Sequence, residues 1–242
     1  MYNVRVSKMH KKNHIKIVGH RGARGHETEN TLESLKKAID LGADIVEFDV
    51  WTSRDGVPFL LHDADFRRIA NNGRRIFDMD SHDIKKLRTT DGKKIITAKE
   101  ALKLLRDYPV YFEVKDYFLT EGVYDLVKKI DKRKLAVGSN NHKVLIELKQ
   151  RGFTADLFAG TIWHPLETLW TIRKHGLTGL SLQYRWFNPF IYYYCRRYNI
   201  KLMLYTVNKY WHMKHLMRWY PTLWICSDYP DRAKKALAEV TK

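Results

Sequence analysis

The feature that most constrains this chain is a regular alternation of short apolar runs with amphipathic helical patterns, which begins at residue 15 and continues almost to the last residue. Alternating strand and helix units build a parallel sheet, because each helix returns the chain to the start of the next strand. Eight such units in 242 residues fit a closed barrel. We therefore predict an α/β fold, a single-domain (β/α)8 TIM barrel. The predicted strands are 15–19, 44–50, 110–114, 135–138, 155–159, 180–183, 201–207 and 223–226, and the predicted helices are 30–39, 98–106, 120–130, 143–151, 166–175, 189–198, 209–219 and 231–240.

One segment interrupts this alternation. Residues 57–61 form a short extended pattern expected to fold back over the second strand, and residues 64–97 have the weakest periodicity in the chain. Turn signals such as Asn71-Asn72-Gly73 divide this region. We predict a short irregular excursion after the second strand, with little room for an inserted domain that would cap a substrate. The predicted organisation is a basic N-terminal arm over residues 1–14 and one barrel domain over residues 15–242.

The charge balance predicts an anionic partner or substrate. The chain has 44 Lys and Arg against 27 Asp and Glu, a formal net charge of +17. Nucleic acid, a phospholipid surface and a small phosphate ester would all satisfy this charge. A solvated basic surface explains it equally well, because most of the lysines fall at helical spacings or in tails.

Other bulk features bear on the compartment. No apolar stretch reaches the roughly 18 to 20 residues of a membrane span, and the basic N-terminal residues lack the apolar core of a signal peptide. Cys195 and Cys226 lie far apart, in apolar or aromatic surroundings and outside any CxxC motif, which indicates buried thiols. These features predict a cytoplasmic protein, and peripheral contact with an anionic membrane stays open.

Polar side chains stand where the predicted barrel strands end. Alternate residues of a strand point to one face, so Glu47 and Asp49 project together. Two carboxylates on one face, with a third at Glu113 on the next core strand, are costly unless a positive charge neutralises them. Oxygen ligands suit a hard cation, so the sequence predicts a site for Mg²⁺ or Ca²⁺. Because the carboxyl ends of barrel strands meet at one mouth, we expect the same mouth to collect His20, Glu47, Asp49, Glu113, Lys115, Gln183 and Tyr205.

Several short motifs, in this order along the chain, carry a family resemblance. They cover nearly the whole sequence, and the set is far more specific than any one of its members. The chain resembles the glycerophosphodiester phosphodiesterase family in His20-Arg21-Gly22, Glu29-Asn30-Thr31, Gly42-Ala43-Asp44, Val46-Glu47-Phe48-Asp49-Val50, Asp55-Gly56, His62-Asp63, Glu113-Val114-Lys115, Tyr205-Thr206-Val207-Asn208 and Ser227-Asp228-Tyr229-Pro230.

This resemblance implies a metal-dependent hydrolase that cleaves glycerophosphodiesters to an alcohol and glycerol 3-phosphate. It implies that His20 and His62 act as general acid and base, which suits side chains that titrate near neutrality. It also implies that a divalent cation would polarise the phosphoryl oxygen. The implied ligands of the cation are Glu47, Asp49 and Glu113, and the implied phosphate or substrate contacts are Arg21, Lys115, Gln183 and Tyr205.

No serine or cysteine nucleophile is evident in these motifs. A hypothesis that fits this observation, and that the resemblance suggests, is attack by a hydroxyl group of the substrate's own glycerol. The product of that step is a cyclic phosphate, which water then opens.

The chain departs from the family pattern at three positions. Thr28 stands where proline is common, Asn140 where an aromatic residue is usual, and Tyr205 where tryptophan is usual. Asn140 and Tyr205 are expected to line the substrate pocket, so the preferred head group is where this chain is expected to differ.

A segment that interleaves aromatic and basic residues, 184–224, leaves a second function open. Its aromatic side chains either pack helices onto the barrel or form an interfacial patch that meets anionic lipid. In the second case the protein would act like a lysophospholipase D at a membrane surface. A third hypothesis is an inactive basic barrel that binds nucleic acid, which we disfavour because an acidic mouth repels a polyanion.

Overall fold

The computed structural model describes residues 14–241, and every structural statement below concerns that part of the chain. The predicted N-terminal arm, residues 1–14, lies outside the described residues except for its last member. The strands are β1 (Lys16–Gly19), β2 (Ile45–Thr52), β3 (Pro58–Leu60), β4 (Asp65–Phe66), β5 (Asn72–Arg75), β6 (Val110–Val114), β7 (Leu135–Ser139), β8 (Asp156–Thr161), β9 (Gly179–Gln183), β10 (Lys201–Tyr205) and β11 (Trp224–Ser227). The α-helices are α1 (Leu32–Asp40), α2 (Arg67–Ala70), α3 (Ser81–Ile84), α4 (Ala98–Leu104), α5 (Glu121–Val127), α6 (His142–Gln150), α7 (Pro165–His175), α8 (Pro189–Arg197), α9 (Tyr210–Trp219) and α10 (Pro230–Val240).

Eight of these strands close into a parallel ring, which confirms the predicted barrel. The order around the ring is β1, β2, β6, β7, β8, β9, β10 and β11. The ring closes where β11 pairs with β1, with Ser227 opposite Gly19. β3 lies outside the ring and pairs antiparallel with the far end of β2, where Leu60 is opposite Val50. The short extended run therefore folds back as predicted.

The barrel interior changes from apolar to polar along the strands. Its floor is a cluster of inward side chains formed by Val18, Ile45, Tyr111, Ala136, Phe158, Met203 and Cys226, with Tyr205 and Trp224 packed against it. Side chains recur on one face every two residues, so the next inward positions are His20, Glu47, Glu113, Gly138, Gly160, Tyr205 and Asp228. The strand period thus places the polar residues directly above a closed apolar floor.

A glycine makes room for the largest residue of this floor. A Cβ atom at Gly138 would lie 2.1 Å from the hydroxyl oxygen of Tyr111. The buried Tyr111 ring packs edge-on against Phe158, with ring centroids 5.4 Å apart. Any larger residue at position 138 would have to displace this tyrosine.

The excursion after β2 has its own small core. Its elements are the β4–β5 hairpin, α2, a 3₁₀ turn at Ile76–Asp78 and α3. Because each short element supplies only one or two apolar residues, no helical or strand period appears in the sequence, yet the segment is packed. Its apolar residues pack with one residue of β2, Trp51, and form a satellite core of Trp51, Phe59, Leu61, Phe66, Ile76, Met79, Ile84 and Ile95.

Across residues 14–241, no helix combines the length and the apolar character that a membrane crossing would need.

Candidate active site

Three carboxylates meet above the barrel floor. Oxygen atoms of Glu47, Asp49 and Glu113 lie within 4.8 Å of one another. Parallel pairing of β2 with β6 sets Asp49 opposite Glu113, and the two-residue period places Glu47 on the same inward face as Asp49. The structure therefore brings together the three residues that the sequence predicted as ligands.

Asp49 is buried and surrounded by donors. Lys115 Nζ lies 3.0 Å from its Oδ1, and Asn30 Nδ2 donates to its Oδ2 over 3.0 Å. Arg21 Nε is an ion-pair partner 3.1 Å from Oδ2, outside hydrogen-bond geometry. Burial would raise the pKa of Asp49, but Lys115 and Arg21 outweigh it and hold the pKa well below its usual value. This carboxylate is ionised.

Glu47 is also buried but has fewer partners. The backbone N–H of Arg21 donates to Oε2 over 2.6 Å, whereas Oε1 has no hydrogen-bond partner among the described residues. Burial, followed by the charges of Asp49 and Glu113, raises the pKa of Glu47 well above its usual value. A buried carboxylate oxygen without a donor is costly. Such an oxygen, beside two further carboxylates, fits a hard divalent cation.

Lys115 bridges two of these carboxylates. Its Nζ lies 2.6 Å from Glu113 Oε1 as well as 3.0 Å from Asp49 Oδ1. Burial would lower the pKa of Lys115, but Glu113 and Asp49 raise it above its usual value. A positive charge is therefore fixed at the edge of the carboxylate cluster.

His20 is oriented by a pair of residues that follow the last two barrel strands. Its Nδ1 lies 2.6 Å from Asp228 Oδ1, and Asn208 Nδ2 donates to Asp228 Oδ2 over 2.7 Å. Burial would raise the pKa of Asp228, but the hydrogen bond with His20 lowers it, so the carboxylate accepts and Nδ1 donates. With Nδ1 engaged by Asp228, Nε2 is the nitrogen of His20 that is left to exchange a proton with a substrate.

The sequence interpretation gave Asp228 and Asn208 no role, although both belong to the family motifs. The signal was available for Asp228, because this residue directly follows the eighth barrel strand.

His62 follows β3 on the excursion and does not end a barrel strand. Its Nδ1 lies 2.7 Å from Asp63 Oδ1, and Arg68 Nε donates to Asp63 Oδ2 over 2.7 Å. The indole N–H of Trp51 donates to the His62 carbonyl over 3.1 Å. Burial lowers the pKa of His62, so the neutral ring is favoured.

Glu29 lies in contact with three arginines, one of which also contacts Asp63 beside His62. Its Oε1 accepts from Arg21 over 2.8 Å and from Arg68 over 2.7 Å, and its Oε2 lies 2.8 Å from Arg24 Nε. Arg68 therefore holds Glu29 and Asp63 together. Sequence reasoning missed Arg68, because its partners depend on how the excursion folds.

Arg21 occupies a special backbone position. Its φ of 51° and the φ of 57° at Asn30 are left-handed, a conformation that non-glycine residues adopt mainly where the surroundings enforce it. The turn aims the backbone N–H of Arg21 at Glu47 and buries its guanidinium between Glu29 and Asp49. Arg21 therefore supports the carboxylates directly, whatever further contact it makes with phosphate.

The opposite side of the mouth carries Gln183 and Tyr205, which are register partners on β9 and β10. The Tyr205 hydroxyl donates to the Thr161 carbonyl over 3.0 Å, and burial raises the pKa of Tyr205. Asn140 lies over Gly160, where a Cβ atom would come 2.1 Å from the Asn140 Oδ1. Two of the departures from the family pattern, Asn140 and Tyr205, thus lie beside β8. The third departure, Thr28, lies elsewhere and donates from its hydroxyl to Asp91 over 2.6 Å.

Known proteins resemble this chain along most of its length. The model of the glycerophosphoryl diester phosphodiesterase family matches residues 20–232. The glycerophosphodiester phosphodiesterase of Caldanaerobacter subterraneus is 27% identical over 220 residues, which cover 84% of this chain and 89% of that protein. A glycerophosphoinositol inositolphosphodiesterase of Homo sapiens is 53% identical over 55 residues, which cover 23% of this chain and 10% of that longer protein.

Solved structures share the fold. An Oleispira antarctica phosphodiesterase in complex with the product sn-glycerol-3-phosphate superposes with a TM-score of 0.83 at 22% identity, covering 92% of this chain and 96% of that one. A glycerophosphodiester phosphodiesterase from Thermotoga maritima has a TM-score of 0.76 at 26% identity, covering 92% and 98%. Because the family model matches most of the chain, the protein belongs to the glycerophosphoryl diester phosphodiesterase family of phosphodiester hydrolases.

Proposed function

We propose that this enzyme hydrolyses glycerophosphodiesters to an alcohol and glycerol 3-phosphate, with a divalent cation, Mg²⁺ or Ca²⁺, held by Glu47, Asp49 and Glu113. One observation carries the proposal. Three carboxylates, one with a buried oxygen that has no hydrogen-bond partner in the described part of the chain, stand within 4.8 Å of one another above the barrel floor. The product named for the Oleispira antarctica relative, sn-glycerol-3-phosphate, is the product expected here.

The cation, when bound, would polarise a phosphoryl oxygen and offset the negative charge that develops on it. Lys115 adds a fixed positive charge on the same side of the site, since its Nζ is held by Glu113 and Asp49. Arg21 supports the site by neutralising Asp49 and is assigned a phosphate contact with its remaining donor. Gln183 and Tyr205 are assigned to the glycerol or alcohol part of the substrate.

The two histidines divide the proton transfers. His62 favours its neutral form and is assigned as the base that accepts a proton from the attacking hydroxyl. His20 is assigned as the acid that protonates the leaving alcohol, since Asp228 holds Nδ1 and offsets the charge of the protonated ring, whose Nε2 is then the nitrogen that gives the proton. Both tasks need a ring that gains and loses protons near neutral pH.

The attacking hydroxyl is assigned to the substrate's own glycerol. Its oxygen forms a bond to phosphorus while the bond from phosphorus to the alcohol oxygen breaks, which gives a cyclic phosphate. Water then opens the ring with the histidine roles reversed. Phosphorus NMR of a slow variant such as His20→Ala tests this step, because direct attack by water would never give a cyclic signal.

The main experiment measures release of glycerol 3-phosphate from a panel of water-soluble glycerophosphodiesters, with Mg²⁺, with Ca²⁺ and with a chelator. We expect turnover that needs the cation and that falls roughly 10²- to 10⁴-fold in His20→Ala and in His62→Ala, since each removes a proton-transfer group. His175→Ala, at the C-terminal end of α7, is the matched control and should behave as the wild type. Full activity in chelator, or in both histidine variants, would contradict the proposal.

A second candidate is a lysophospholipase D-like activity at a membrane surface. The observation that favours it is a set of exposed aromatic side chains on the loops after β6, β8 and β9, including Phe118, Trp163 and Trp186. Lysophospholipids in the same panel distinguish the two functions, because only the second predicts that lipid substrates exceed water-soluble ones.

A further inference from the structure

A group of large apolar side chains lies exposed on α7, α8 and the loops that precede these helices. Trp163, Leu166, Trp170 and Phe190 are each between 60% and 67% exposed, and Trp186 is 41% exposed. We call these five residues the α7–α8 face. They differ from the aromatic segment expected over residues 184–224, because Trp163, Leu166 and Trp170 lie outside it.

The predicted segment itself divides into two kinds of residue. Tyr192 is buried in the main core. Four partly buried aromatics pack against this core: Tyr184, Phe187, Tyr210 and Tyr220. About half of its aromatics are thus structural, which the sequence could not separate from the rest.

The α7–α8 face is continuous across the two helices. The rings of Trp163 and Trp186 meet edge to face with centroids 6.0 Å apart. Further along, Arg173 contacts the Tyr194 hydroxyl at 3.4 Å. A groove of about 410 Å³ runs between the helices, lined by Leu166, Leu169, Trp170, Arg173, Lys174, Phe190 and Tyr194.

The face begins at the rim of the active site. Trp163 follows Thr161, the last residue of β8, by two positions, and Trp186 follows Gln183, the last residue of β9, by three. Tyr117 and Phe118, in the loop after β6, follow Lys115 and are also mostly exposed. A flat surface that contacts the rim of the α7–α8 face would therefore lie beside the mouth.

The charge around this face is almost entirely positive. Between Asp156 and Asp228 the sequence contains a single acidic residue, Glu167. Lys174 lies over the Trp170 ring at 4.5 Å and Arg173 lies over the Tyr198 ring at 4.0 Å. The basic residues of the same stretch are Arg173, Lys174, Arg185, Arg196, Arg197, Lys201, Lys209, Lys214 and Arg218.

The face combines exposed tryptophans with nearby cations and almost no acidic residue. This composition is typical of surfaces that bind anionic lipid. Aromatic rings prefer the boundary between head groups and acyl chains, and lysine and arginine bind the phosphates. A second copy of the chain fits poorly, because it would set one basic face against another.

We propose that the α7–α8 face binds an anionic phospholipid bilayer, with its tryptophans at the head-group boundary and Arg173, Lys174 and Arg185 on lipid phosphates. The bound protein presents its mouth at the membrane surface. This proposal does not depend on the proposed catalysis, because membrane binding requires no turnover.

The test is co-sedimentation with vesicles of phosphatidylcholine alone and of phosphatidylcholine with phosphatidylglycerol. We expect binding to the anionic vesicles, weakened by salt, and a tryptophan fluorescence that brominated lipid quenches. Trp170→Ser should lower the partition coefficient roughly tenfold. Its control is Trp219→Ser, which removes an equally exposed tryptophan, 59% against 60%, from the end of α9.

The charge is tested separately. Arg173→Gln with Lys174→Gln should weaken binding roughly 25-fold, since each cation near an anionic surface contributes about fivefold, whereas Lys128→Gln with Lys129→Gln near α5 should change it little. Turnover of a water-soluble glycerophosphodiester should be unchanged in these variants, which shows that they are folded. Equal losses in each variant and its control, binding that ignores lipid charge, or no sedimentation would overturn the proposal. A tighter, Trp170-dependent affinity for single-stranded oligonucleotide would also overturn it.

Discussion

Two sides of the barrel mouth use charged and aromatic residues in opposite ways. On the side of β1, β2 and β6, charges of both signs are buried and in contact, as at Asp49 with Lys115. On the α7–α8 face, tryptophans are exposed and the charges are almost all positive. The first arrangement needs strand register and left-handed turns, whereas the second needs only residues on an outer surface. The comparison teaches that a reactive site and a binding surface can be built on one barrel with little shared structure.

Within the buried side, two residues of one strand show why position matters. Glu47 and Asp49 are two apart on β2, yet the pKa of Glu47 is raised and that of Asp49 is lowered. Both are buried, but Lys115 and Arg21 reach Asp49, whereas Glu47 receives, among residues 14–241, only the Arg21 backbone N–H. Asp49 has cationic partners and Glu47 has none in direct contact within that part of the chain, so the carboxylate cluster is short of positive charge.

The largest effect is expected from Glu47→Gln. Turnover should fall roughly 10³-fold or more, because the cation loses a ligand. In chelator the variant should be more stable than the wild type by about 1–2 kcal/mol in urea unfolding, because a buried charge without a full set of partners has been removed. Added cation should raise the melting temperature of the wild type but not of the variant.

The difference in stability between Glu47→Gln and the wild type should depend on pH. Because the folded pKa of Glu47 is raised above its usual 4.5, its protonated form stabilises the metal-free protein below that pH. This contribution is lost as the pH rises through the folded pKa. The stability gap in favour of Glu47→Gln should therefore widen from about pH 5 to pH 8, and a constant gap would contradict the explanation. Glu33→Gln, on the exposed side of α1, is the control.

A smaller effect is expected from Asp228→Asn. Without the carboxylate, His20 is no longer held in the tautomer that leaves Nε2 free, so kcat should fall about 10²-fold and its pH profile should shift. Asp231→Asn is a matched control, since Asp231 holds His26 at 2.9 Å on the surface. Comparable losses in the two variants would mean that Asp228 is merely structural.

The smallest effect on the buried side is expected from Arg68→Ala. Arg68 joins Glu29 to Asp63, and Asp63 orients His62, so kcat should drop roughly tenfold while KM changes little. Arg67→Ala removes a neighbouring, largely exposed arginine that lies 3.8 Å from Asp65 and should leave kcat unchanged. If Arg68→Lys restored no activity and KM rose instead, Arg68 would act on substrate binding.

The sequence predicted the barrel well because its strands and helices have distinct periods. The strand predicted at 110–114 has the bounds of β6. The strand predicted at 180–183 starts one residue later than β9 and ends at the same residue. The grouping of Glu47, Asp49 and Glu113 followed from the strand period, and their role as ligands stays a prediction. β10 ends at Tyr205, two residues before the end of the strand predicted at 201–207. The backbone N–H of Val207 already donates to the Cys226 carbonyl outside the ladder.

The remaining features depend on contacts between distant segments. Arg68 finds Glu29 and Asp63 only after the excursion has folded against the barrel. Among the aromatics, Tyr192 is buried and its neighbour Tyr193 is exposed, a difference that residue type cannot reveal. The division between core and surface is therefore a property of helix orientation, which the sequence constrains only weakly.

The satellite core of the excursion gives the site a second consequence. His20 stands on the barrel, while His62 and Arg68 stand on the excursion, which packs on the satellite core together with Trp51 of β2. Proteins open in cooperative units of unequal stability. We expect the excursion to open before the barrel, because its core is the smaller of the two. The proposed base would then separate from the proposed acid, and activity would be lost at a temperature at which the barrel is still folded.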